Sequence, residues 1–242
     1  MAVSESATND TIIILQARTS SKRLPGKVLK ELQGIPMLSH SIRRLKRVER
    51  ASLVVATTTM HKDDAIEELA SKEGVSCFRG DEADVLDRFY RTAKEYSCNI
   101  VIRATGDNPL VDPVEAERVR DAIGYGNYHY VTGFFEVNGK KLPEGVGVEA
   151  FSFGSLEHAW YNGSKPEYRE HINNYFFDNP ELFSSYNLEC LPENNCPQLS
   201  LTVDTPEEFS FVERIGDELG NLIDLSICEI IQWWKRTAQA SE

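Results

Sequence analysis

Four times in its first half the chain repeats one pattern: a short aliphatic, β-branched run, then a stretch with apolar residues at helical spacing. The runs are "TIIIL" (11–15), "SLVVATTT" (52–59), "VSCF" (75–78) and "NIVIRATGD" (99–107). Such runs mark strands buried on both faces. After the first, Ile35, Leu38, Ile42 and Leu45 recur at helical spacing, with Arg43, Arg44, Lys46 and Arg47 on other faces. "DDAIEELASKEG" opens with an acidic turn and stops at Gly74. "DEADVLDRFYRTAKEYS" aligns Val85, Phe89 and Tyr96 on one stripe, and Asp112 with Pro113 opens a further helix as N-cap and first residue. The alternation predicts an α/β fold with a mostly parallel, doubly wound sheet.

The second half breaks this rhythm. "YVTGFFEVNGKKLPEGVGVEAFSF" reads as strands around a Gly-rich loop, a small β-rich insertion at about 128–152. Helices follow near 154–163 and 166–177, then a strand "LSLTVD" (199–204), a helix opened by "TPEEF", and a last amphipathic helix in "SICEIIQWWKRTAQ". No composition shift divides residues 11–242, so they read as a single domain, and residues 1–10 read as a disordered leader. That leader lacks the basic and apolar regions of a secretory signal. No apolar run reaches the roughly 18 residues of a membrane span. Five cysteines form no CxxC pair, as suits reduced thiols in a cytoplasmic protein.

In doubly wound sheets, ligands sit beyond the carboxyl ends of the strands. The loop after the first strand, "ILQARTSSKRLPGKVL" (14–29), carries Arg18, Lys22, Arg23 and Lys27 and no acid, although the whole chain has a formal charge of −12. A sequence pI near 5.0 excludes a general nucleic-acid surface; a basic loop in so acidic a chain points to a local anion. Pro25 and Gly26 enforce a turn, and Thr19, Ser20 and Ser21 add hydroxyl donors. Neither GxxxxGK[ST] nor GxGxxG occurs, so this is not a Walker loop or a dinucleotide fingerprint. Thr57 and Asp107 fall at other strand ends and should converge on the same cleft.

"LQARTSSKRLPGKVLKELQGIPML" resembles the opening signature of the cytidylyltransferase family, which includes CMP-3-deoxy-manno-octulosonate and CMP-sialate synthetases and SpsF-type glycan-biosynthesis proteins. The resemblance continues in order through "VVATTT", "FRGDEADVLDRFY", "RATGDNPLVDP", "VGVEAFSF", "REHINNYFFDNPELF" and "LTVDTPEEF", and is greatest to the SpsF-type branch. It implies a Rossmann-like nucleotidyltransferase fold, a dimer, and transfer of a nucleotide from CTP to a sugar-like glycan precursor with release of pyrophosphate. It implies Mg²⁺ as well. By position, Arg18, Arg23 and Lys27 match the triphosphate-binding cations, and Leu15, Gln16 and Ala17 match the strand end facing the nucleoside. Gly80, Asp81 and Asp87 or Arg88 match the base-side stretch, although Asp87 and Arg88 equally suit an exposed helix face. Asp107 and Asp204 match the metal-binding acids; each also suits a cap or turn. Arg18, Lys27 and Asp107 are thereby the catalytic candidates, and Arg103, Glu149, Arg169 and His171 the acceptor candidates. The chain departs from the family at Lys22 and at Gly147. The residues leave open a different base, a phosphorylated acceptor, or a nucleotide-binding subunit without turnover.

Overall fold

The computed structural model describes residues 10–239; the leader expected at 1–10 lies, Asp10 apart, outside them. In chain order come β1 (Thr11–Gln16), a hairpin of β2 (Glu31–Leu32) and β3 (Ile35–Pro36), α1 (Met37–Leu45), β4 (Ala51–Thr58), α2 (Asp64–Lys72), β5 (Ser76–Gly80) and α3 (Val85–Glu95). Then follow β6 (Ile100–Thr105), α4 (Pro113–Gly126), β7 (Tyr130–Thr132), β8 (Glu149–Ser152), α5 (Phe153–Asn162), α6 (Pro166–Glu170), α7 (Ile172–Asp178), β9 (Ser185–Asn187), α8 (Pro206–Leu219) and α9 (Ile227–Gln239). No helix among the described residues is long and apolar enough to cross a membrane.

The main sheet runs β5-β4-β1-β6-β8-β7-β9. β1 pairs in parallel with β4 on one side and β6 on the other, while β8 is antiparallel to both β6 and β7. The reason the first run does not alternate is visible in its neighbours. Ile12 and Ile14 join a buried cluster with Phe89, Phe151 and Phe176, whereas Ile13 and Leu15 join another with Leu38, Ile42 and Ile230. Both faces are covered by helices, and each such side chain removed from water stabilises the fold by about 1.5–3 kcal/mol. The chain winds outward from β1 to β5 and then returns to β6, so the carboxyl ends of β1 and β6 form the switch-point crevice.

Three local expectations change. The strand expected at 199–204 is extended chain with a single bridge, Glu144 to Ser200. Its Leu201 and Val203 amides donate to Glu144 O and Asp107 O, which lie on two separate loops, so no ladder forms. The helix expected at 166–177 is two helices, broken where His171 takes an extended backbone with φ −119° and ψ 91°. Residues 128–152 supply β7 and β8 to the main sheet itself, with one isolated bridge, Val137 to Lys140, between them.

Candidate active site

The basic loop leaves β1 at Gln16 and is tied back on itself: the Gly26 amide donates to Thr19 O at 3.0 Å. Gly26 takes φ 68°, a left-handed conformation that suits glycine and turns the chain into the short 3₁₀ segment Lys27–Leu29. Asp63 fastens the loop's near end. This carboxylate is fully buried, accepts from the Thr19 amide at 2.8 Å and the Thr19 hydroxyl at 2.6 Å, and also accepts from the Thr58 hydroxyl. Glu82 holds the next residue, accepting from Ser20 Oγ at 2.5 Å and Lys62 Nζ at 2.9 Å. From the sequence Asp63 reads only as part of an acidic first turn; it in fact sits at the end of the 3₁₀ turn that leads into α2.

The cations of this loop meet two acids. Asp107 follows β6, and Asp204 precedes the capping box that Thr205 and Glu208 build at α8. Lys27 Nζ donates to Asp204 Oδ1 at 2.7 Å, to Val203 O at 2.8 Å and to Asp107 Oδ2 at 3.3 Å. Arg23 pairs with Asp204 Oδ2 at 2.6 Å. Arg18, half exposed, pairs with Glu170 at 4.0 Å. Lys27 was expected on the phosphate side of the acids, yet its ammonium bridges them directly, because these acids and Val203 O offer the buried stem a full set of acceptors.

On the base side, a Cβ added at Gly80 would stand 2.6 Å from Arg88 Cγ, so glycine there makes room for the arginine. Arg88 is 1% exposed rather than on an open helix face. It donates to the carbonyls of Asp81 and Glu82, forms no ion pair among the described residues, and leaves Nε without a partner. Burial holds its guanidinium below the ordinary arginine value, and the nearby Arg18 charge adds to this. Asp87, by contrast, is occupied by Trp160 Nε1 and Arg91.

The expected acceptor residues do not share one wall. Glu149 is fully buried: it accepts from Arg103, its direct cross-strand neighbour, and from the Tyr130 hydroxyl. Glu149, expected on the acceptor side, is thus enclosed by two strands and two donors and does not line the cavity. Arg103 also donates to Gln16 Oε1 at 3.3 Å. Arg169 places Nε and Nη2 on Asp84 Oδ2 at 2.9 and 2.6 Å, facing a cleft beside the main one. Thr57 is likewise buried, and its hydroxyl has no partner among the described residues. The Leu15 side chain lies in the core.

A cavity of about 450 Å³ opens at the carboxyl ends of β1 and β6. Gln16, Ala17, Arg18, Arg23, Lys27, Arg88, Arg103, Asp107, His171 and Asp204 all line it. Thr57, Gly80, Asp81, Glu149 and Arg169 do not line it. Asp81 and Arg169 instead face the adjoining cleft, which shares Arg18, Ser20 and Lys22 with the cavity. A further cavity of about 460 Å³ adjoins the first, sharing Arg103, Thr105 and Asp107 and continuing past Asn108, Lys141 and Thr202. No local pattern in the sequence signals this chamber, because its walls come from the end of β6 and three separate loops. As a metal pair, Asp107 and Asp204 fit: both already converge on one cation, and a hard divalent ion takes the same carboxylate oxygens. No third carboxylate, histidine or cysteine among the described residues completes a metal-holding group. A metal there therefore needs oxygens from phosphate and water.

A mostly parallel sheet with flanking helices, carrying a cationic loop and two acids in the crevice beyond its strands, has the fold of the nucleotidyltransferases. A family model described as cytidylyltransferase matches residues 12–227. The chain belongs to the cytidylyltransferase family, and is by class a CTP-dependent nucleotidyltransferase. Among its relatives, the spore coat polysaccharide biosynthesis protein SpsF of Bacillus subtilis is 31% identical over 239 residues, spanning 96% of this chain and 97% of that protein. A solved cytidylyltransferase from Leptospira borgpetersenii serovar Hardjo-bovis is 30% identical, with a TM-score of 0.87 and 95% of each chain covered. The CMP:2-keto-3-deoxy-manno-octonic acid synthetase, solved in complex with CTP, shares the fold at a TM-score of 0.65 and 18% identity, covering 86% of this chain and 99% of that one.

Proposed function

We propose that the protein transfers CMP from CTP to a hydroxyl of a sugar or sugar-like acceptor, releasing pyrophosphate, in the assembly of a surface glycan. One observation carries this reading: two cavities of similar size meet at a wall made by Arg103, Thr105 and Asp107. CTP occupies the cavity of the basic loop, its phosphates against Arg18, Arg23 and the Ser20 and Ser21 hydroxyls, its base toward Arg88. A buried guanidinium with no ion pair is costly unless a ligand satisfies it. The acceptor occupies the second chamber, where Asn108 and Thr202 offer hydrogen bonds and Lys141 a cation. Its hydroxyl oxygen bonds to the α-phosphorus as the bond to the β-phosphate oxygen breaks; the hydroxyl proton leaves to solvent and pyrophosphate stays by the cations.

A magnesium ion held by Asp107 and Asp204 would supply neutralisation of the charge on the phosphates. The chain itself orients: Asp63 and Glu82 hold the cationic loop in place, so its donors need little reorganisation when phosphate arrives. No side chain needs to act as a nucleophile. Burial pushes the Cys98 thiol up to about 12 and the Cys77 and Cys190 thiols to about 11, which keeps them protonated. The name of SpsF supports the glycan setting. The test is pyrophosphate release from CTP and Mg²⁺ across a broad panel of sugar acids, neutral sugars and phosphorylated polyols. Release with one acceptor class is the expected result. No release from any acceptor, together with no thermal shift by CTP, would overturn the reading.

A further inference from the structure

Lys27 stands where the acid pair would otherwise hold a metal. Its side chain is only 8% exposed, and its three ammonium hydrogens are matched by three acceptors: Asp204 Oδ1, Val203 O and Asp107 Oδ2. Arg23 takes the other oxygen of Asp204. Both carboxylates are thus neutralised from within the chain. An ammonium and a divalent ion compete for the same oxygens and repel each other at such range, so the two do not share the pair.

We infer that Lys27 is the resident counter-ion of Asp107 and Asp204, and that the pair becomes free for a divalent cation only when nucleotide phosphates draw the Lys27 ammonium away. The inference rests on the reading of these acids as the metal pair. Lys27 and Arg23 line the same cavity as the hydroxyls of the basic loop, so phosphate oxygens bound there lie within reach of both cations. Phosphate would give the ammonium replacement acceptors at the moment it releases the carboxylates. Nucleotide and cation therefore raise each other's affinity by the same factor. An acid pair without such a lysine would take the cation alone, before any nucleotide.

Binding of Mn²⁺ to the full-length protein, read by electron paramagnetic resonance, tests this. Wild-type protein should bind Mn²⁺ weakly alone, and at least about tenfold more tightly with CTP present. Lys27→Met removes the ammonium and keeps an unbranched apolar stem; without nucleotide it should bind Mn²⁺ at least about tenfold more tightly than wild type, and CTP should add little. Mn²⁺ should also raise the melting temperature of Lys27→Met more than that of wild type, because it refills a vacated cation position. Arg23→Met changes a largely exposed residue and keeps the question answerable if Lys27→Met does not fold; it should show the same gain at smaller size. Wild-type protein binding Mn²⁺ alone as tightly as either variant would overturn the inference. CTP binding to wild type without metal, read by calorimetry, tests the nucleotide reading separately: failure there overturns that reading, while the Mn²⁺ comparison decides on Lys27.

Discussion

Two clusters of acid and base stand on neighbouring strand ends, built from the same chemistry. In one, Arg103 pairs with Glu149, and Tyr130 takes the second carboxylate oxygen; Glu149 is 0% exposed. In the other, Lys27 and Arg23 pair with Asp107 and Asp204, whose side chains stay 32% and 25% exposed at the cavity wall. The sealed cluster lies where β8 meets β6 and β7 and the sheet turns antiparallel, so its hydrogen bonds join three strands. The open cluster joins three loops and keeps oxygens that a ligand can take. Residue type does not separate a fastening carboxylate from one that a ligand can reach; access does.

The largest expected effect is on the open cluster. Asp107→Asn keeps the shape and removes the charge; turnover with CTP should fall by about 100-fold or more, as when a group that stabilises transition-state charge is lost. Its melting temperature should barely move, since partly exposed ion pairs contribute about 0–1 kcal/mol. Steady-state kinetics beside a thermal melt checks both, and undiminished turnover would remove Asp107 from the chemistry. The sealed cluster should answer in the opposite sense. Glu149→Gln breaks a buried pair and leaves Arg103 without its carboxylate, which costs about 3 kcal/mol. The melting temperature should drop by roughly 6–12 °C, while CTP still gives a thermal shift. An unchanged melting temperature would show that burial is the wrong criterion.

This contrast also marks what can be read from the residues alone. The four aliphatic runs became β1, β4, β5 and β6 because strands with helices packed on both faces are mostly apolar without alternation, a local property. The basic loop stood out for a similar reason: cations without carboxylates in an acidic chain are visible without coordinates. Lys27 and Asp204 were each named, but their contact spans 177 positions, and no local pattern says which side of the acids an ammonium will take. Asp63 and Glu149 show the limit most plainly. Asp63 reads as the start of a helix and Glu149 as the start of a strand, and only packing reveals that Asp63 is buried under Thr19 and Thr58, and Glu149 between Arg103 and Tyr130. "LSLTVD" alternates as a strand should, yet found two loop carbonyls in place of a strand edge.

The smallest expected effect probes how tightly the second cluster is sealed. Burial, and then the Glu149 charge, raise the Tyr130 phenol well above the usual tyrosine value. The folded protein therefore keeps this proton past pH 10, whereas the unfolded chain releases it near pH 10. Above that point the native state binds more protons than the unfolded state, so stability falls as pH rises, by up to about 1.4 kcal/mol per pH unit for this one group. Its contribution is fully present below pH 10 and is lost on the alkaline side. Tyr130→Phe removes the titration and should give a flatter stability curve between pH 9.5 and 11, on a lower baseline because Glu149 loses a donor. The raised thiols of Cys77, Cys98, Cys190 and Cys196 titrate in both proteins and cancel in the difference. Urea midpoints for the two proteins across that range supply the measurement. Parallel curves would mean that Tyr130 ionises freely in the folded state, which requires water at Glu149 and makes the sealed cluster as open as its neighbour.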